Sequence, residues 1–425
     1  MLVGSSIRRV AIIGGTRIPF ARSMGAYAEA SNQEMLTAAL KGLVERFNLR
    51  GERLGDVGAG AVLKHSKDFN LTRESVLGSG LAPETPAFDL QRACGTSLDT
   101  AIVLGLKIAA GQIDSGIAAG VDTASDVPIV YPSAYRNLLL RSARGRSLGE
   151  RVAPWFGLRP GHFKPQLPAV SEPLTGMSMG QHCEQMAKTW QIPRAEQDQL
   201  AMESHRKAAT AWDAGFYEDL VVGFRGLKQD NNVRRDTTLE KLAKLKPSFD
   251  ANGTLTAGNS TPMTDGASSV LLASEEWAKA RGLPVLAYLT YGKYAAVDFV
   301  HKEGLLMAPA YAVPRMLADA NLKLQDFDIY EIHEAFEAQV LCTLKAWESA
   351  EFCRDRLGLN APLGAIDRSK MNLKGGSVAM GHPFAATGAR IIATLAKQLA
   401  ERGGGRGLIS ICTAGGMGVT AILER

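Results

Sequence analysis

The chain has 425 residues, 46% of them hydrophobic and 21% charged, with a net charge of +5. This length suits two or three domains, and the composition is that of a globular chain with a sizeable core, not a disordered or fibrous one. The charge is mild for the length. It comes with no zinc-finger spacing, basic region feeding heptads or aromatic-basic RNA signature, so no nucleic acid partner is expected. The five cysteines, Cys94, Cys183, Cys342, Cys353 and Cys412, lie far apart with no CxxC pair. That argues against a disulfide framework or a zinc site and for a reducing compartment. No apolar run reaches membrane-spanning length, and neither end carries a targeting signal, so a cytoplasmic location is expected.

In chain order, residues 9–15 read as a buried strand ending in glycines. The GxGxxG spacing is absent, which discounts a dinucleotide site. Residues 32–47 form an amphipathic helix with Leu36, Leu40, Leu43, Val44 and Phe47 on one face. A strand over 57–63 and a short helix over 72–78 lead to a strand end at 87–90. Next comes Gln91-Arg92-Ala93-Cys94-Gly95-Thr96-Ser97, then a nearly all-apolar, buried helix over 98–110. A cysteine at such a turn lies at a helix N-terminus, where the dipole and free N–H groups favour thiolate over thiol. Small neighbours leave room for a reactant. The structural alternative is an inert core cysteine. A strand of small residues follows over 115–120.

Residues 126–175 differ in character, with few helical or strand periods. Between Val127 and Glu172 there are seven Lys or Arg against two acids, interleaved with Tyr131, Tyr135, Trp155, Phe156 and Phe163. This reads as an irregular excursion with a solvated basic face, or more sharply as a surface for anionic partners such as phosphates or lipid headgroups. Helices are expected over 179–190 and 194–215. The uncharged loop 255–266 suits close backbone approach to a ligand and precedes an apolar strand over 267–273. A strand over 284–289 and a helix over 313–320 come next. Another strand, 327–332, runs into His333-Glu334-Ala335-Phe336 and a helix reaching Trp347. Glycines then lead to Gly381-His382-Pro383, a buried helix over 385–399, a strand over 408–412, the turn 413–418 and a closing strand.

The two ends of the chain follow one plan. Each has a strand, a glycine-rich turn (with Cys94 or His382), a buried small-residue helix and another strand. This indicates a duplicated α/β unit. Sites in such sheets fall at strand carboxyl ends, often where halves meet, which brings Cys94, His333, His382 and Cys412 together. A helix N-terminus disfavours imidazolium and suits His382 as a neutral base for a thiol nucleophile. Zinc binding is the competing use of two cysteines and two histidines, but these four come singly from separate turns. They suit acyl transfer better: one thiol carries the acyl group, the second moves a proton on carbon, and histidines with backbone amides hold an oxyanion.

The blocks Arg92-Ala93-Cys94-Gly95-Thr96-Ser97, His333-Glu334-Ala335-Phe336, Gly375-Gly376-Ser377 with Gly381-His382-Pro383, and Cys412-Thr413-Ala414-Gly415-Gly416-Met417-Gly418 resemble the four signature blocks of the thiolases, which are acetyl-CoA acyltransferases. The resemblance runs from Arg17-Ile18-Pro19-Phe20 to the last strand. It implies a duplicated thiolase fold in five αβαβα layers with an inserted loop domain. The divisions expected are 1–125, completed by 250–283, for the first half, 126–249 for the insertion and 284–425 for the second half. It further implies Cys94 as nucleophile, His382 as its base and Cys412 as the acid/base at the α-carbon. The backbone N–H groups of Cys94 and Ala414 match one oxyanion hole, and His382 with a water held by His333 matches the other. Met179, Ala257, Thr261, Ala335 and Phe336 match positions lining the CoA channel. Coenzyme A is a substrate, and no cofactor or metal is implied.

The activity implied is thiolysis of 3-ketoacyl-CoA by CoA, giving acetyl-CoA and a shortened acyl-CoA and reversible by Claisen condensation. His333 stands where the family usually has Asn, and Asn259-Ser260-Thr261-Pro262 replaces its usual Asn-Ala-Ser-Gly. Ser178 replaces a usual His. The first two variants and the basic excursion resemble the thiolase subunit of the fatty-acid β-oxidation trifunctional complex. The family implies a homodimer or homotetramer, and that subclass allows a hydratase/dehydrogenase α-subunit as partner and a peripheral membrane contact through 126–175. Short-chain acetoacetyl-CoA thiolysis and a non-catalytic lipid-binding scaffold are the competing readings. A decarboxylating ketosynthase would place Cys-His-His at the site, with no counterpart of Cys412.

Overall fold

A computed structural model describes residues 7–168 and 171–425. Among the described residues ten strands form one continuous sheet. They are β1 (Val10–Arg17), β2 (Ala21–Arg22), β3 (Asp56–Ala59), β4 (Ala87–Asp89), β5 (Ser115–Asp122), β6 (Thr264–Ser274), β7 (Ala287–Ala296), β8 (Ile329–Ile332), β9 (Arg406–Thr413) and β10 (Met417–Glu424). The order is β4-β3-β5-β6-β1-β7-β10-β9-β8, with the short β2 paired to β6. The halves meet where Ala11 and Ile12 of β1 pair with Tyr288 and Ala287 of β7.

Outward from that seam the two halves repeat one another. β6 is antiparallel to β1 and β5, as β10 is to β7 and β9. β3 is parallel to β5, as β8 is to β9. Beyond β3 lies parallel β4. Beyond β8 the counterpart has shrunk to one parallel bridge, Tyr330 with Met371. The duplication expected from the sequence is therefore present strand by strand.

Side-chain alternation sorts these strands into layers. Along β1, Ile13 points outward to Leu36, Leu40 and Val44 of the helix Asn32–Arg46. Ile12 points inward, to a core shared with Leu98 and Ile102 of the helix Thr96–Ala109 and Ile392 and Leu395 of the helix Thr387–Arg402. That core also takes Ile411 and Val419 from the second half. On its far side, Ile332, Leu408 and Ile422 pack against Val313, Leu317 and Leu341 of the helices Ala308–Ala320 and Glu337–Glu348. The result is the expected αβαβα stack, with two helices enclosed at its centre.

The segment between β5 and β6 folds over one end of the stack. It is fastened by Arg17 and Asp230, both fully buried, whose paired contacts are 2.6 and 2.7 Å. The Phe20 N–H also donates to Asp230 at 2.7 Å. A buried pair of this kind is compensated by bidentate geometry and the added donor.

Several elements differ from the sequence reading. The excursion is less irregular than expected, because Ser133–Arg144 is a helix. Tyr135 on it stacks between Tyr131 and Phe163 at 4.9 and 5.1 Å, and Ser142 accepts from Trp155 at 2.8 Å. The strand expected over 57–63 ends at Ala59, because Gly60 passes against the Leu90 carbonyl with no room for a side chain. The strand expected from Pro284 begins at Ala287 and runs on to Ala296. The helix expected from Val313 begins at Ala308, with Pro309 in its first turn and Pro314 inside it.

The central helices meet at their first turns. Ser97 Oγ donates to the Ala385 carbonyl at 2.6 Å and accepts from Ala389 N–H at 2.8 Å. A Cβ on Gly388 would press into the backbone nitrogen of Leu98. Gly388→Ala is therefore expected to destabilise the fold by about 1–3 kcal/mol, the usual range for overpacking. An unchanged melting temperature would contradict this reading of the contact.

Candidate active site

Cys94 sits in the turn between β4 and the first central helix. Ala93 takes φ +43°, a left-handed conformation that only local bonding makes tolerable. That bonding comes from Thr96, whose Oγ1 donates to Ala93 O at 2.7 Å and accepts from Arg92 N–H at 2.9 Å. Arg92 in turn is held by Asp99 at 2.6 Å and lies 4.5 Å over the Tyr294 ring. Next to the cysteine, a Cβ on Gly95 would meet Val419 at 2.7 Å and Thr413 at 3.1 Å. The turn of Cys94 is thus pressed against the hairpin of β9 and β10.

Cys412 lies next to the last residue of β9 there, opposite Gly418 and almost fully buried. The two thiols are close enough that charge on Cys94 would raise the proton affinity of Cys412. The N–H groups of Ala414 and of Cys94 itself both bear on the Cys94 sulfur.

The two histidines stack, with ring centroids 4.2 Å apart. His333 follows β8, its N–H donating to Ser410 O at 2.9 Å. His382 lies in the turn before the second central helix, its N–H donating to Thr264 at 2.7 Å. His382 Nδ1 is 2.5 Å from Thr387 Oγ1, and His333 Nδ1 is 3.0 Å from Ser377 Oγ. Both Nε2 atoms are buried and have no protein partner among the described residues. Two orphaned imidazole nitrogens side by side are rare in a settled core and are what a ligand site leaves open. The Ser97 contacts with Ala385 and Ala389 tie the turn of Cys94 to that of His382.

Burial dominates the protonation of all four side chains. It pushes the Cys94 thiol up to about 12, against the smaller opposing pull of the Ala414 and Cys94 N–H groups. The thiolate expected from the helix N-terminus is therefore corrected: Cys94 rests as a thiol, because desolvation outweighs the amides. Burial likewise holds Cys412 well above the ordinary thiol range. It pushes His382 down to about 3, with the Arg390 charge adding to the effect. It also holds His333 well below its ordinary value, helped by His382 and Arg390. At neutral pH the site is two thiols and two neutral imidazoles.

The residues expected to line the CoA channel fall into two groups. Thr261, Ala335 and Phe336 come together: Thr261 N–H donates to Ala335 O at 3.1 Å, Thr261 Oγ1 donates to Ser377 O at 3.1 Å, and Ser260 bridges to Phe336. Ala257 lines a narrow cavity beside them with Ser260, Pro262, Val378, Arg22 and Arg234. Met179 packs on the outer core of the second half, the same core that holds Ala335 and Phe336.

The sequence reading missed several groups that shape the site. Asp122, at the end of β5, accepts from Val62, Leu63 and Ala385 N–H groups at 2.8–2.9 Å, and burial raises its carboxyl to about 7. Glu172, from the segment between β5 and β6, accepts from Gly415 N–H at 2.6 Å and so fixes the turn after Cys412. Ser377 and Arg390 stand behind His333. An arginine within the apolar first half of the helix Thr387–Arg402 was the visible signal for Arg390. Among the described residues no group of three or more candidate ligands has metal-binding geometry.

A resting thiol sets the pH dependence of alkylation. Inactivation by iodoacetamide, an uncharged reagent, is expected to accelerate about tenfold per pH unit from pH 6 to 9, because the thiolate fraction rises in that proportion. A fast rate independent of pH over that range would show a preformed thiolate.

Comparison with known proteins places this geometry. The family model described as Thiolase, N-terminal domain matches residues 10–276, and that described as Thiolase, C-terminal domain matches residues 283–425. The chain is 43% identical to the 3-ketoacyl-CoA thiolase of Pectobacterium carotovorum subsp. carotovorum (strain PC1), over 98% of this chain and 96% of that one. It is 41% identical to the 3-ketoacyl-CoA thiolase of Yersinia pestis (strain Pestoides F), over 98% and 97%. The crystal structure of the Bacillus anthracis acetyl-CoA acetyltransferase superposes with a TM-score of 0.82 at 28% identity, covering 99% of this chain and 100% of that one. With both halves matched by their family models and relatives above 40% identity over nearly its whole length, this chain belongs to the thiolase family, and it is an acyltransferase.

Proposed function

We propose that this chain is a 3-ketoacyl-CoA thiolase, cleaving 3-ketoacyl-CoA with CoA to acetyl-CoA and a shortened acyl-CoA. The observation that carries the reading is the pair of orphaned imidazole nitrogens, with the turn of His382 tied to that of the half-buried Cys94 thiol. His382 takes the Cys94 proton, and the sulfur attacks the 3-keto carbon. The resulting oxyanion expels the acetyl-CoA enolate as the bond between carbons 2 and 3 breaks. Cys412 delivers its proton to carbon 2, and acetyl-CoA leaves. CoA thiol then gives its proton to the Cys412 thiolate and attacks the Cys94 thioester, and the shortened acyl-CoA is released as the Cys94 sulfur leaves and takes back its proton from His382. Neutral His382 suits the base role, because burial keeps it unprotonated far below pH 7. Proton transfer from a thiol whose proton affinity is raised is uphill in the free protein, so charge separates only once an oxyanion has donors around it. The Cys94 and Ala414 N–H groups serve one oxyanion. His382, with a water held by His333, serves the other.

The same reading gives CoA and acyl-CoA thioesters as substrates, with no resident cofactor. Ala257, Thr261, Ala335 and Phe336 line the thioester's path, and Met179 borders it. Arg22 and Arg234, at the cavity beside Ala257, suit CoA phosphate. The segment 126–249 acts as the inserted loop domain between two catalytic halves. A homodimer or homotetramer in the cytoplasm, joined by a hydratase/dehydrogenase α-subunit, completes the reading. A peripheral membrane contact through 126–175 is supported by exposed Ile129, Tyr131, Leu148, Phe156 and Leu167 among the arginines of that segment. Among the described residues no helix is long and apolar enough to cross a membrane. Vesicles containing anionic lipid are expected to co-sediment the protein more than neutral vesicles do; equal sedimentation would remove the membrane contact.

A second reading, short-chain acetoacetyl-CoA thiolysis, is favoured by the likeness to the acetyl-CoA acetyltransferase structure. Thiolysis rates across 3-ketoacyl-CoA substrates from C4 to C16 separate the two. Activity extending to long chains is expected, and a preference confined to C4 would establish the second reading. Cys94→Ser is expected to abolish thiolysis. Cys412→Ala is expected to form the acyl-enzyme from acyl-CoA yet fail in carbon–carbon chemistry. Normal condensation by Cys412→Ala would overturn the division of roles.

A further inference from the structure

The two stacked histidines differ in what stands behind them. Behind His382 is a single hydroxyl, Thr387 Oγ1. Behind His333 is a relay of two groups. His333 Nδ1 lies 3.0 Å from Ser377 Oγ, and Arg390 Nη2 lies 2.7 Å from the same oxygen. A guanidinium only donates, so Ser377 Oγ accepts from Arg390. The hydroxyl has one proton of its own. Among the described residues its only other side-chain neighbour is His333 Nδ1, so the proton goes there. An imidazole that accepts at Nδ1 carries its own proton at Nε2.

The parts of this relay are immobilised. Ser377, Arg390 and His333 are 0%, 2% and 1% exposed. Thr261 Oγ1 donates to the Ser377 carbonyl at 3.1 Å. One residue earlier, Gly376 lies flush against the Glu334 carboxylate, leaving no space for a Cβ. That carboxylate is itself held by Asn372 at 2.6 Å and Ser204 at 2.7 Å. The serine hydroxyl therefore has no other place to go, and His333 Nε2 is left as a buried atom without a protein partner among the described residues.

We propose that Ser377, anchored by Arg390, is a positioning residue that fixes His333 in the Nε2–H tautomer, so that this ring meets the reacting oxygen or its water only as a hydrogen-bond donor. The opposite tautomer would turn a lone pair toward developing negative charge. A side-chain amide at position 333 would offer an N–H without such a choice. A histidine there needs a partner behind it to fix the proton, as metal-binding histidines do. The inference rests on reading His333 as part of the oxyanion site.

The test combines spectroscopy with a double-mutant cycle in the full-length protein. With 15N-labelled histidine, the His333 ring of the wild type is expected to show Nε2–H and a bare Nδ1, and Ser377→Ala to show a mixture of tautomers. Thiolysis by Ser377→Ala is expected to lose about 10-fold to 100-fold in kcat, somewhat less than removal of a whole oxyanion donor, with KM changed less than about twofold. In a His333→Asn background, Ser377→Ala is expected to change kcat by less than about twofold, because an amide has no tautomer to fix. Equal, additive losses in both backgrounds would overturn the proposal. So would Nδ1–H at His333 in the wild type, which decides the matter even if Ser377→Ala does not fold. Absence of thiolysis in the wild type would instead count against the assigned activity and leave the tautomer result standing.

Discussion

The site depends on two helices touching at their first turns. Ser97 bonds in both directions across that contact, and Gly388 gives up its side chain so that backbone meets backbone. One of these helices follows Cys94 and the other follows His382. Duplication supplies each half with a strand, a turn and an enclosed helix, and the contact makes the two turns neighbours. The carboxyl ends of β8 and β9 then add His333 and Cys412. A thiol from one half is thereby brought to three side chains from the other.

Enclosure sets the electrostatics as well. A helix N-terminus contributes a fraction of a charge, felt within its first turn. Desolvation in the middle layer of a five-layer stack acts more strongly, and it holds thiols protonated and imidazoles neutral. Buried Asp122 and Glu331, each raised to about 7, lie near the same layer. Their signs oppose those of the histidines. A raised carboxyl stabilises the fold below about pH 4, and that contribution fades as pH climbs through 7. A depressed imidazole gives its contribution at high pH, and loses it as pH falls from 6.5 toward 3. Between pH 4 and 6.5 the two tendencies offset one another, so a site full of shifted groups does not make the fold steeply pH-sensitive there.

Much of this was legible in the sequence, for physical reasons. Strand and helix periods marked both halves, and glycine-rich turns carried the reactive side chains. The order of those turns implied the duplication that the sheet order bears out. The excursion at 126–175 hid its helix, because Ser133–Arg144 has an exposed polar face and takes its order from Tyr131, Phe163 and Trp155. Strand ends set by close approach, as at Gly60, leave no periodic trace. The protonation of Cys94 was misjudged because depth in a layered stack is a tertiary property. Ser377 was visible only as part of a glycine block, and its link to Arg390 spans a turn and a helix that sequence spacing does not bring together.

The central claim is that Cys94 carries the acyl group while the rest of the cluster moves protons and holds oxygen. Mass spectrometry of the protein, acid-quenched within one turnover of a 3-ketoacyl-CoA and digested, tests this most directly. The account predicts an acyl group two carbons shorter than the substrate, on the peptide containing Cys94 and on no other cysteine. The same acyl group on Cys412, or turnover with no acylated cysteine, would contradict it.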